Sequence, residues 1–258
     1  TAIDLCSGNY IVTVTDATGT TSQFTTTVPA LEPNLQVTST PVSCFGGSDG
    51  AINLSVTTGT PNFTYAWNTT AATEDISNLP IGTYSVMVTD ANGCFDSITA
   101  AISQPVVLSI NSVITNVACF GDSTGAINIT PIGGTPNYTY LWNNASTSQD
   151  LNNLPISQYS VQVTDNNGCF TTSSFTITQP TPLTVSLSIL SNYNGQNIRC
   201  FNASNGSIGA FPSGGIMPYT YLWNNTATTS SISGVSQGLY TVQVFDNNGC
   251  STSNNITI

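Results

Sequence analysis

Hydrophobic and polar residues alternate most regularly in residues 82–94, GTYSVMVTDANGC. The alternation places Tyr84, Val86 and Val88 on one face and smaller or polar side chains on the other, as in a half-buried β-strand. The Asp-Ala-Asn-Gly segment that follows is typical of a tight turn, because Asp bonds to the backbone ahead of it and Asn-Gly tolerates positive φ. The segment therefore predicts a β-hairpin whose second strand starts at Cys94.

This hairpin pattern recurs along the chain and defines a repeat. Its further copies are residues 157–169, 238–250 and, in a weakened form, 8–20. Three tryptophans recur at intervals of 75 and 81 residues: Trp67, Trp142 and Trp223. Successive copies are separated by a proline, which interrupts a strand ladder, after Glu32, Gln104 and Gln179. The period predicts a partial repeat, the C-terminal hairpin alone, at 1–32, and whole repeats at 33–104, 105–179 and 180–258.

Each whole repeat contains short strand-like segments separated by turn residues. In the first copy these segments are LQVTST, AINLSVTT, NFTYAWN, EDISNL, TYSVMVTD and CFDSITAAI. No stretch keeps a helical period, and the spacing of the segments is that of hairpins. The sequence therefore predicts an all-β protein in which tandem immunoglobulin-like β-sandwich repeats form an extended array.

Aromatic residues at two positions of each repeat are predicted to lie in the core. Residues 79–84, Leu-Pro-Ile-Gly-Thr-Tyr, resemble the tyrosine corner of immunoglobulin-like folds, and such folds also bury a tryptophan between their sheets. The predicted core aromatics are Trp67, Trp142, Trp223, Tyr84, Tyr159 and Tyr240. Each tryptophan also ends a triplet on one strand face, such as Tyr138, Tyr140 and Trp142. An exposed triplet would be a platform for sugars, so a glycan-binding module is the alternative.

The composition limits the partners of the chain. Of its 258 residues, 39% are hydrophobic and only 5% are charged, and the net charge of −11 arises from twelve acids and the single cation Arg199. Nucleic acids and anionic membranes are bound through clustered lysine and arginine, so the sequence excludes the first and disfavours the second. No apolar run approaches the roughly eighteen residues of a membrane span. The sequence opens within a repeat, so we expect it to be a segment of a longer protein.

The motifs of the repeats resemble those of a known family. Cys-Phe-Gly is followed by Gly-Ala-Ile-Asn, and the second copy continues with Gly-Thr-Pro-Asn-Tyr-Thr-Tyr-Leu-Trp and Tyr-Ser-Val-Gln-Val-Thr-Asp-Asn-Asn-Gly-Cys. This pattern is similar to the SprB-type repeat of very large cell-surface adhesins of gliding bacteria, which leave the cell by type IX secretion. The third copy departs from it at residues 202–206, Asn-Ala-Ser-Asn-Gly. The resemblance implies an extracellular, bacterial cell-surface protein with a role in gliding motility or attachment.

The seven cysteines predict disulfides and an oxidising compartment. Each whole repeat contains two, fifty residues apart: Cys44 and Cys94, Cys119 and Cys169, Cys200 and Cys250. Pairing within repeats would leave Cys6 unpaired. In a simple sandwich, however, the two positions lie at opposite poles, on the order of 25–30 Å apart. The alternative joins successive repeats and brings Cys6 near Cys94. Its further pairs are Cys44–Cys169 and Cys119–Cys250.

The acidic residues at turns have two possible roles. They are Asp49, Asp90, Asp122, Asp165 and Asp246. Aspartate stabilises turns by bonding to the nearby backbone, so a turn-forming role is the first interpretation. Calcium, which takes oxygen ligands, is the alternative, although no segment gathers the several carboxylates of such a site. No other metal or cofactor is expected. The Asp-Ser runs at Ser97 and Ser123 resemble bacterial O-glycosylation sites.

The sequence contains no feature of an enzyme. Histidine is absent, which removes catalytic triads and imidazole metal ligands, and the acids are too scattered for a glycosidase pair. We therefore expect an extracellular structural or adhesive repeat array, the stalk or filament of a bacterial surface adhesin. The expected partners are surface polysaccharide or other cell-surface components, and neighbouring repeats of the same chain. Because no lysine guards the strand edges, homo-assembly into a filament or sheath is a further alternative.

Overall fold

The chain forms β-strands throughout the part that the structure describes. The computed structural model describes residues 5–6, 8–28 and 32–258. Its strands are β1 (Gly8–Thr15), β2 (Thr21–Val28), β3 (Leu35–Thr40), β4 (Gly50–Val56), β5 (Thr64–Trp67), β6 (Ile76–Leu79), β7 (Gly82–Thr89), β8 (Phe95–Ile102), β9 (Ser109–Thr115), β10 (Gly125–Ile132), β11 (Thr139–Trp142), β12 (Leu151–Leu154), β13 (Ser157–Thr164), β14 (Phe170–Ile177), β15 (Thr184–Ile189), β16 (Gly206–Ser213), β17 (Thr220–Trp223), β18 (Ser231–Val235), β19 (Leu239–Phe245) and β20 (Ser251–Thr257). Among the described residues no helix is long and apolar enough to cross a membrane.

The first whole repeat is a sandwich of two three-stranded antiparallel sheets. One sheet has the order β3-β4-β6 and the other the order β5-β7-β8. The third repeat has the orders β15-β16-β18 and β17-β19-β20, and the second has β9-β10-β12 and β11-β13-β14. These are the ABE and CFG strand groups of an immunoglobulin-like sandwich that lacks strand D. The predicted all-β, immunoglobulin-like fold is confirmed.

Alternation along the last hairpin of each repeat builds the core. In β7, Tyr84, Val86 and Val88 are buried and belong to one hydrophobic cluster with Ile52 and Trp67. The side chains between them on β7 are more exposed, as the period of a strand with one buried face requires. The third repeat has an equivalent cluster, which includes Ile208, Trp223, Val242 and Val244.

Two hydrogen bonds from core aromatics recur in each whole repeat. The indole N–H of each buried tryptophan donates to a carbonyl six residues further along the chain: Trp67 to Thr73 at 2.9 Å, Trp142 to Ser148 at 2.8 Å and Trp223 to Thr229 at 2.9 Å. The corner tyrosine donates its hydroxyl to a carbonyl four residues back: Tyr84 to Pro80 at 2.9 Å, Tyr159 to Pro155 at 3.2 Å and Tyr240 to Ser236 at 3.1 Å. These bonds give the polar ends of large apolar side chains a partner inside the fold.

A glycine at the start of β4 lets the backbones of β4 and β6 approach closely. A Cβ atom on Gly50 would lie 2.8 Å from Leu79 O and 2.8 Å from Ile102 Cγ2. Gly125 and Gly206 stand at the same position of the other repeats, where a Cβ atom would meet an isoleucine in the same way. The glycine that precedes Ala-Ile or Ser-Ile in each repeat is therefore required by packing.

The partial repeat forms one antiparallel hairpin, β1 with β2. Tyr10 donates its hydroxyl to Cys6 O at 2.9 Å, which reproduces the tyrosine corner. Val12 and Val14 stand where the whole repeat has Val86 and Val88, but they are 47% and 54% exposed. Residues 1–4, 7 and 29–31 of the predicted partial repeat lie outside the described residues.

The chain divides into two compact units whose borders cross the second repeat. One unit comprises Thr1–Ser109, Ile132–Tyr138 and Thr164–Phe170, and the other comprises Ile110–Pro131, Thr139–Val163 and Thr171–Ile258. The first unit therefore contains the first repeat together with the β10–β11 loop and the last hairpin turn of the second repeat. The other unit contains the third repeat together with most of the strand residues of the second. The predicted repeat boundaries stay predictions.

Candidate functional site

The turn between the last two strands of each whole repeat forms one half of the site. We call it the hairpin tip; the three tips are residues 90–94, 165–169 and 246–250. In the first tip, Asp90 N–H donates to Cys94 O at 2.8 Å and Gly93 N–H donates to Asp90 O at 3.0 Å. Gly93 has a φ of 83°, a conformation that favours glycine. The turn that the sequence predicts thus places a cysteine at the pole of the sandwich.

The aspartate of the hairpin tip is buried and organises the turn. Asp90 Oδ1 accepts the N–H groups of Asn92 and Cys94, both at 2.9 Å. Its Oδ2 accepts the N–H of Thr60 at 3.0 Å, which ties the tip to the loop between β4 and β5. Asp165 and Asp246 accept the same three backbone bonds in their repeats. These carboxylates form turns, as the first interpretation of the sequence expects.

The hydrogen bonds favour the charged form of the tip carboxylate. The N–H of Thr60 lowers the pKa of Asp90 below its ordinary value of 3.8, with smaller contributions from the N–H groups of Cys94 and Asn92, while burial opposes the shift. In the partial repeat, the hydroxyl of Thr18 is the main cause of the lowered pKa of Asp16. The ionised aspartate is therefore part of the folded turn.

The turn between the first two strands of each whole repeat forms the other half of the site. We call it the acceptor loop; the three loops are residues 42–47, 117–122 and 198–203. In the first loop, Gly47 N–H donates to Cys44 O at 3.0 Å and Ser43 N–H donates to Asp49 Oδ1 at 2.9 Å. The second loop repeats both bonds, with Thr124 Oγ1 as the side-chain acceptor at 2.8 Å.

The acceptor loop lies beside the end of the last strand of its own repeat. Val42 N–H donates to Ser103 O at 3.1 Å, and Gly46 N–H donates to Gln104 Oε1 at 2.9 Å. The hairpin tip precedes the start of that strand, which is β8. Since eight strand residues span about 26 Å, the acceptor loop and the tip of one repeat lie at opposite poles.

Each of the first two acceptor loops binds the hairpin tip of the following repeat. Disulfides join Cys44 to Cys169 and Cys119 to Cys250, with Cα–Cα distances of 5.7 Å and 5.6 Å. A hydrogen bond accompanies each disulfide: Asn167 Nδ2 donates to Ser43 O at 3.1 Å, and Asn248 Nδ2 donates to Ala118 O at 2.9 Å. The site therefore connects repeats covalently and through a polar contact of the residue two positions before the tip cysteine.

The pairing expected within repeats is wrong. Cys44–Cys94, Cys119–Cys169 and Cys200–Cys250 do not form, because the length of the last strand separates the two cysteines of a repeat. The expectation that Cys6 is unpaired is also wrong, since Cys6 is bonded to Cys94 with a Cα–Cα distance of 5.4 Å. The free cysteine is Cys200, which is exposed. The alternative pairing between successive repeats is the one that the structure contains.

The other predicted site residues do not gather in a cluster. Asp49 shapes the first acceptor loop through its bond to Ser43, and Asp122 lies in the second acceptor loop. Within the described residues, no group of three His, Cys, Asp or Glu side chains could hold a metal ion. Calcium binding therefore stays a prediction. So does O-glycosylation at Ser97 and Ser123, which are both exposed.

Aromatic side chains of the third repeat line a groove that the sequence analysis missed. The groove measures about 520 Å³, and its lining includes Leu190, Phe211, Pro212, Tyr219, Tyr221 and Ser231. The third repeat has Gly209 and Ala210 where the first has Asn53 and Leu54, so short side chains form its floor. A position-by-position comparison of the repeats would have found this difference. In all three triplets the tryptophan is buried and the two preceding aromatics are half-buried.

Comparison with known proteins identifies the repeats. The SprB repeat family matches residues 36–72, 111–147 and 192–228. The family thus matches one segment in each whole repeat, and the resemblance seen in the sequence is confirmed. No curated protein sequence matches the chain significantly.

Several solved structures of tandem domains are similar to the chain at low sequence identity. A tetra-tandem repeat from the extending region of a large adhesion protein is 15% identical, with a TM-score of 0.33 over 98% of this chain and 82% of that chain. The N-terminal eight Ig domains of Down Syndrome Cell Adhesion Molecule are 10% identical, with a TM-score of 0.30 over 100% and 51%. A structure explaining Dscam isoform specificity is 10% identical, with a TM-score of 0.27 over 98% and 80%.

We expect the first hairpin tip to lose protection in acid. Because the folded pKa of Asp90 lies below 3.8, its carboxylate stabilises the tip at any pH above that value, and this stabilisation is lost as the pH falls through the folded pKa. Amide hydrogen exchange at Thr60 and Cys94, relative to the intrinsic rate, should therefore accelerate below about pH 4.

Two variants serve as controls for this measurement. Asp90→Asn should remove the acid dependence, since the side chain then carries no charge at any pH. Asp96→Asn, at an exposed position of β8, should leave it unchanged. Protection of Thr60 and Cys94 that stays constant in the unmodified chain down to about pH 2 would contradict the assigned role of Asp90.

Proposed function

We propose that these SprB repeats form a load-bearing stalk of an extracellular bacterial surface adhesin, with a role in attachment or gliding motility. The repeat identity and the tandem sandwiches support an adhesin-type structural module. Three disulfides support an oxidising, extracellular location. The role in attachment or motility comes from the resemblance to the SprB-type adhesins. The single observation that carries the proposal is the overlap of the disulfides along the chain.

The overlap of the disulfides shortens the covalent path along which tension travels. The disulfides join residues 6 and 94, 44 and 169, and 119 and 250. The first cysteine of the second bond and of the third bond lies, in sequence, between the two cysteines of the preceding bond. A force applied to the two ends of the chain can pass from residue 6 to residue 94, along the backbone to residue 119, and across to residue 250. Every strand of the first and third repeats except β8 and β20 lies outside this path. Covalent bonds therefore bear the load instead of the hydrogen bonds of those strands.

This path sets the length to which the chain can be extended. At 3.6 Å per residue, the reduced chain extends to about 920 Å and the oxidised chain to only about 150 Å. Pairing within repeats would instead allow the oxidised chain to extend to about 400 Å. A stalk with the observed pairing keeps its reach nearly constant even when its sandwiches unfold.

Single-molecule force spectroscopy on the chain held at both ends tests the proposal. We expect a contour length of about 150 Å for the oxidised chain and of about 920 Å after reduction. The double variant Cys119→Ser/Cys250→Ser should extend to about 480 Å, because the path then runs through 44–169. The matched double variant Cys44→Ser/Cys169→Ser should stay at about 150 Å, since the shortest path does not use that bond. A contour length of about 400 Å for the oxidised chain would refute the load-bearing arrangement.

A second candidate function is polysaccharide binding in the groove of the third repeat. Tyr219 and Tyr221 are half-buried there, and Phe211 is 51% exposed, so aromatic surface is available for stacking on sugar rings. The Tyr219 hydroxyl donates to Gly214 O at 2.7 Å, which fixes the ring in place. The groove contains no charged residue among those that line it, which suits a neutral ligand.

Pull-down of the chain on insoluble neutral polysaccharides, namely cellulose, mannan and agarose, tests this second function. Tyr221→Ala should weaken binding by about tenfold, the effect of losing about 1.4 kcal/mol of stacking. Tyr140→Ala changes the same strand position in the second repeat and should leave binding unchanged. The groove would be excluded as the binding site if Tyr221→Ala and Tyr140→Ala bound with equal affinity. It would also be excluded if the unmodified chain were retained on none of the three polymers.

A further inference from the structure

The third acceptor loop, residues 198–203, has the same conformation as the two loops that bind a hairpin tip. Arg199 N–H donates to Asn205 Oδ1 at 3.0 Å, as Ser43 does to Asp49 in the first loop. Ala203 N–H donates to Cys200 O at 3.0 Å, which is the turn bond of the other loops. Asn202 takes a φ of 64°, where the other loops have glycine. The loop is thus built in the same way despite its different sequence.

The third acceptor loop differs from the other two in what covers it. Cys200 is free and exposed, whereas Cys44 and Cys119 are bonded to a tip and half-buried. The phenylalanine that follows the cysteine is 85% exposed in this loop, as Phe201, but 55% and 53% exposed in the other two. The carbonyl that accepts the asparagine of a tip belongs here to Arg199, the only cation of the chain. A cation at this position would attract an incoming repeat of the same type, because the other charged residues of these repeats are acidic.

We propose that the third acceptor loop binds the hairpin tip of a further SprB repeat that follows in tandem, and that Cys200 forms a disulfide with the cysteine of that tip. This inference rests on the proposed function, since it extends by one site the same stapled array, that is, the series of repeats joined by disulfides. The two bonded loops of this chain show the same residues in the bonded state. By analogy, the carbonyl of Arg199 accepts the Nδ2 group of the incoming asparagine.

The incoming tip has to come from outside the three repeats. All three hairpin-tip cysteines are already bonded: Cys94 to Cys6, Cys169 to Cys44 and Cys250 to Cys119. The position of the incoming cysteine in the sequence is also defined, because the cysteines bonded between successive repeats are 125 and 131 residues apart. A repeat in tandem places its tip cysteine at the same separation from Cys200.

Formation of the new bond requires an external disulfide as the oxidant. The Cys200 thiolate attacks the external disulfide, forms a mixed disulfide and releases one thiolate. The tip thiolate then attacks Cys200 Sγ, closes the Cys200–tip bond and releases the second thiolate. Two electrons pass to the external disulfide, which becomes two thiols, and the two protons lost by the cysteines pass to those thiols or to solvent.

The test extends the full chain by one repeat after Ile258. A second copy of residues 103–177 is appended in register, so that its tip cysteine stands 125 residues after Cys200, as Cys169 does after Cys44. The protein is oxidised in a glutathione redox buffer, its free thiols are alkylated, and its disulfides are identified by non-reducing peptide mass spectrometry. We expect Cys200 to be bonded to the appended tip, and the free thiol to move to the appended acceptor loop.

Controls separate this inference from the proposed function. Cys200→Ser in the extended chain should leave the appended tip cysteine alkylated. A second extension, with a copy of residues 178–258, repeats the test in case the first does not fold. If Cys44–Cys169 and Cys119–Cys250 form while Cys200 is alkylated or links two chains in both extensions, the inference is overturned and the stapled array stands. If those two bonds are missing as well, the proposed function fails.

Discussion

The length of one β-strand is the constraint on which the arrangement of the repeats depends. The last strand of a repeat has the hairpin tip at its start and the acceptor loop at its end, where Val42 bonds to Ser103 and Gly46 to Gln104. Eight residues of strand keep the two cysteines about 26 Å apart, several times the Cα–Cα distance of a disulfide. Neither cysteine can reach the other within a repeat. Six of the seven cysteines are therefore bonded between successive repeats, and Cys200 is free.

Buried carboxylates fix the conformation of the hairpin tips, which carry the cysteines that bond to the neighbouring repeat. Only 5% of the residues are charged, so few charged side chains are available to fix the conformation of a hairpin tip. Asp90, Asp165 and Asp246 instead accept hydrogen bonds from the backbone of the turn and from the loop between the second and third strands of their own repeat. The cysteine N–H is one of their donors, so the carboxylate and the disulfide act on the same residue. Rigid tips lower the entropy that is lost when two repeats are joined.

The fold could be predicted from local patterns because local patterns determine it. Alternation at Tyr84, Val86 and Val88 marks the buried face, and the recurrence of Trp67 marks the core of each sandwich. The disulfide pairing depends on where two loops lie in three dimensions, and the period of the cysteines is compatible with either pairing. Cys6 and Cys200 therefore exchanged roles between expectation and structure. The groove of the third repeat arises from Gly209 and Ala210, whose short side chains carry no positive signal in a single repeat.

Disulfide mapping of the unmodified chain tests the central claim most directly. The chain, isolated without reductant, is alkylated and digested with a protease that does not depend on lysine, and its linked peptides are identified by mass spectrometry. Stapled repeats require the linked pairs Cys6–Cys94, Cys44–Cys169 and Cys119–Cys250, with alkylation at Cys200 alone. Linked pairs Cys44–Cys94, Cys119–Cys169 and Cys200–Cys250, with alkylation at Cys6, would contradict it.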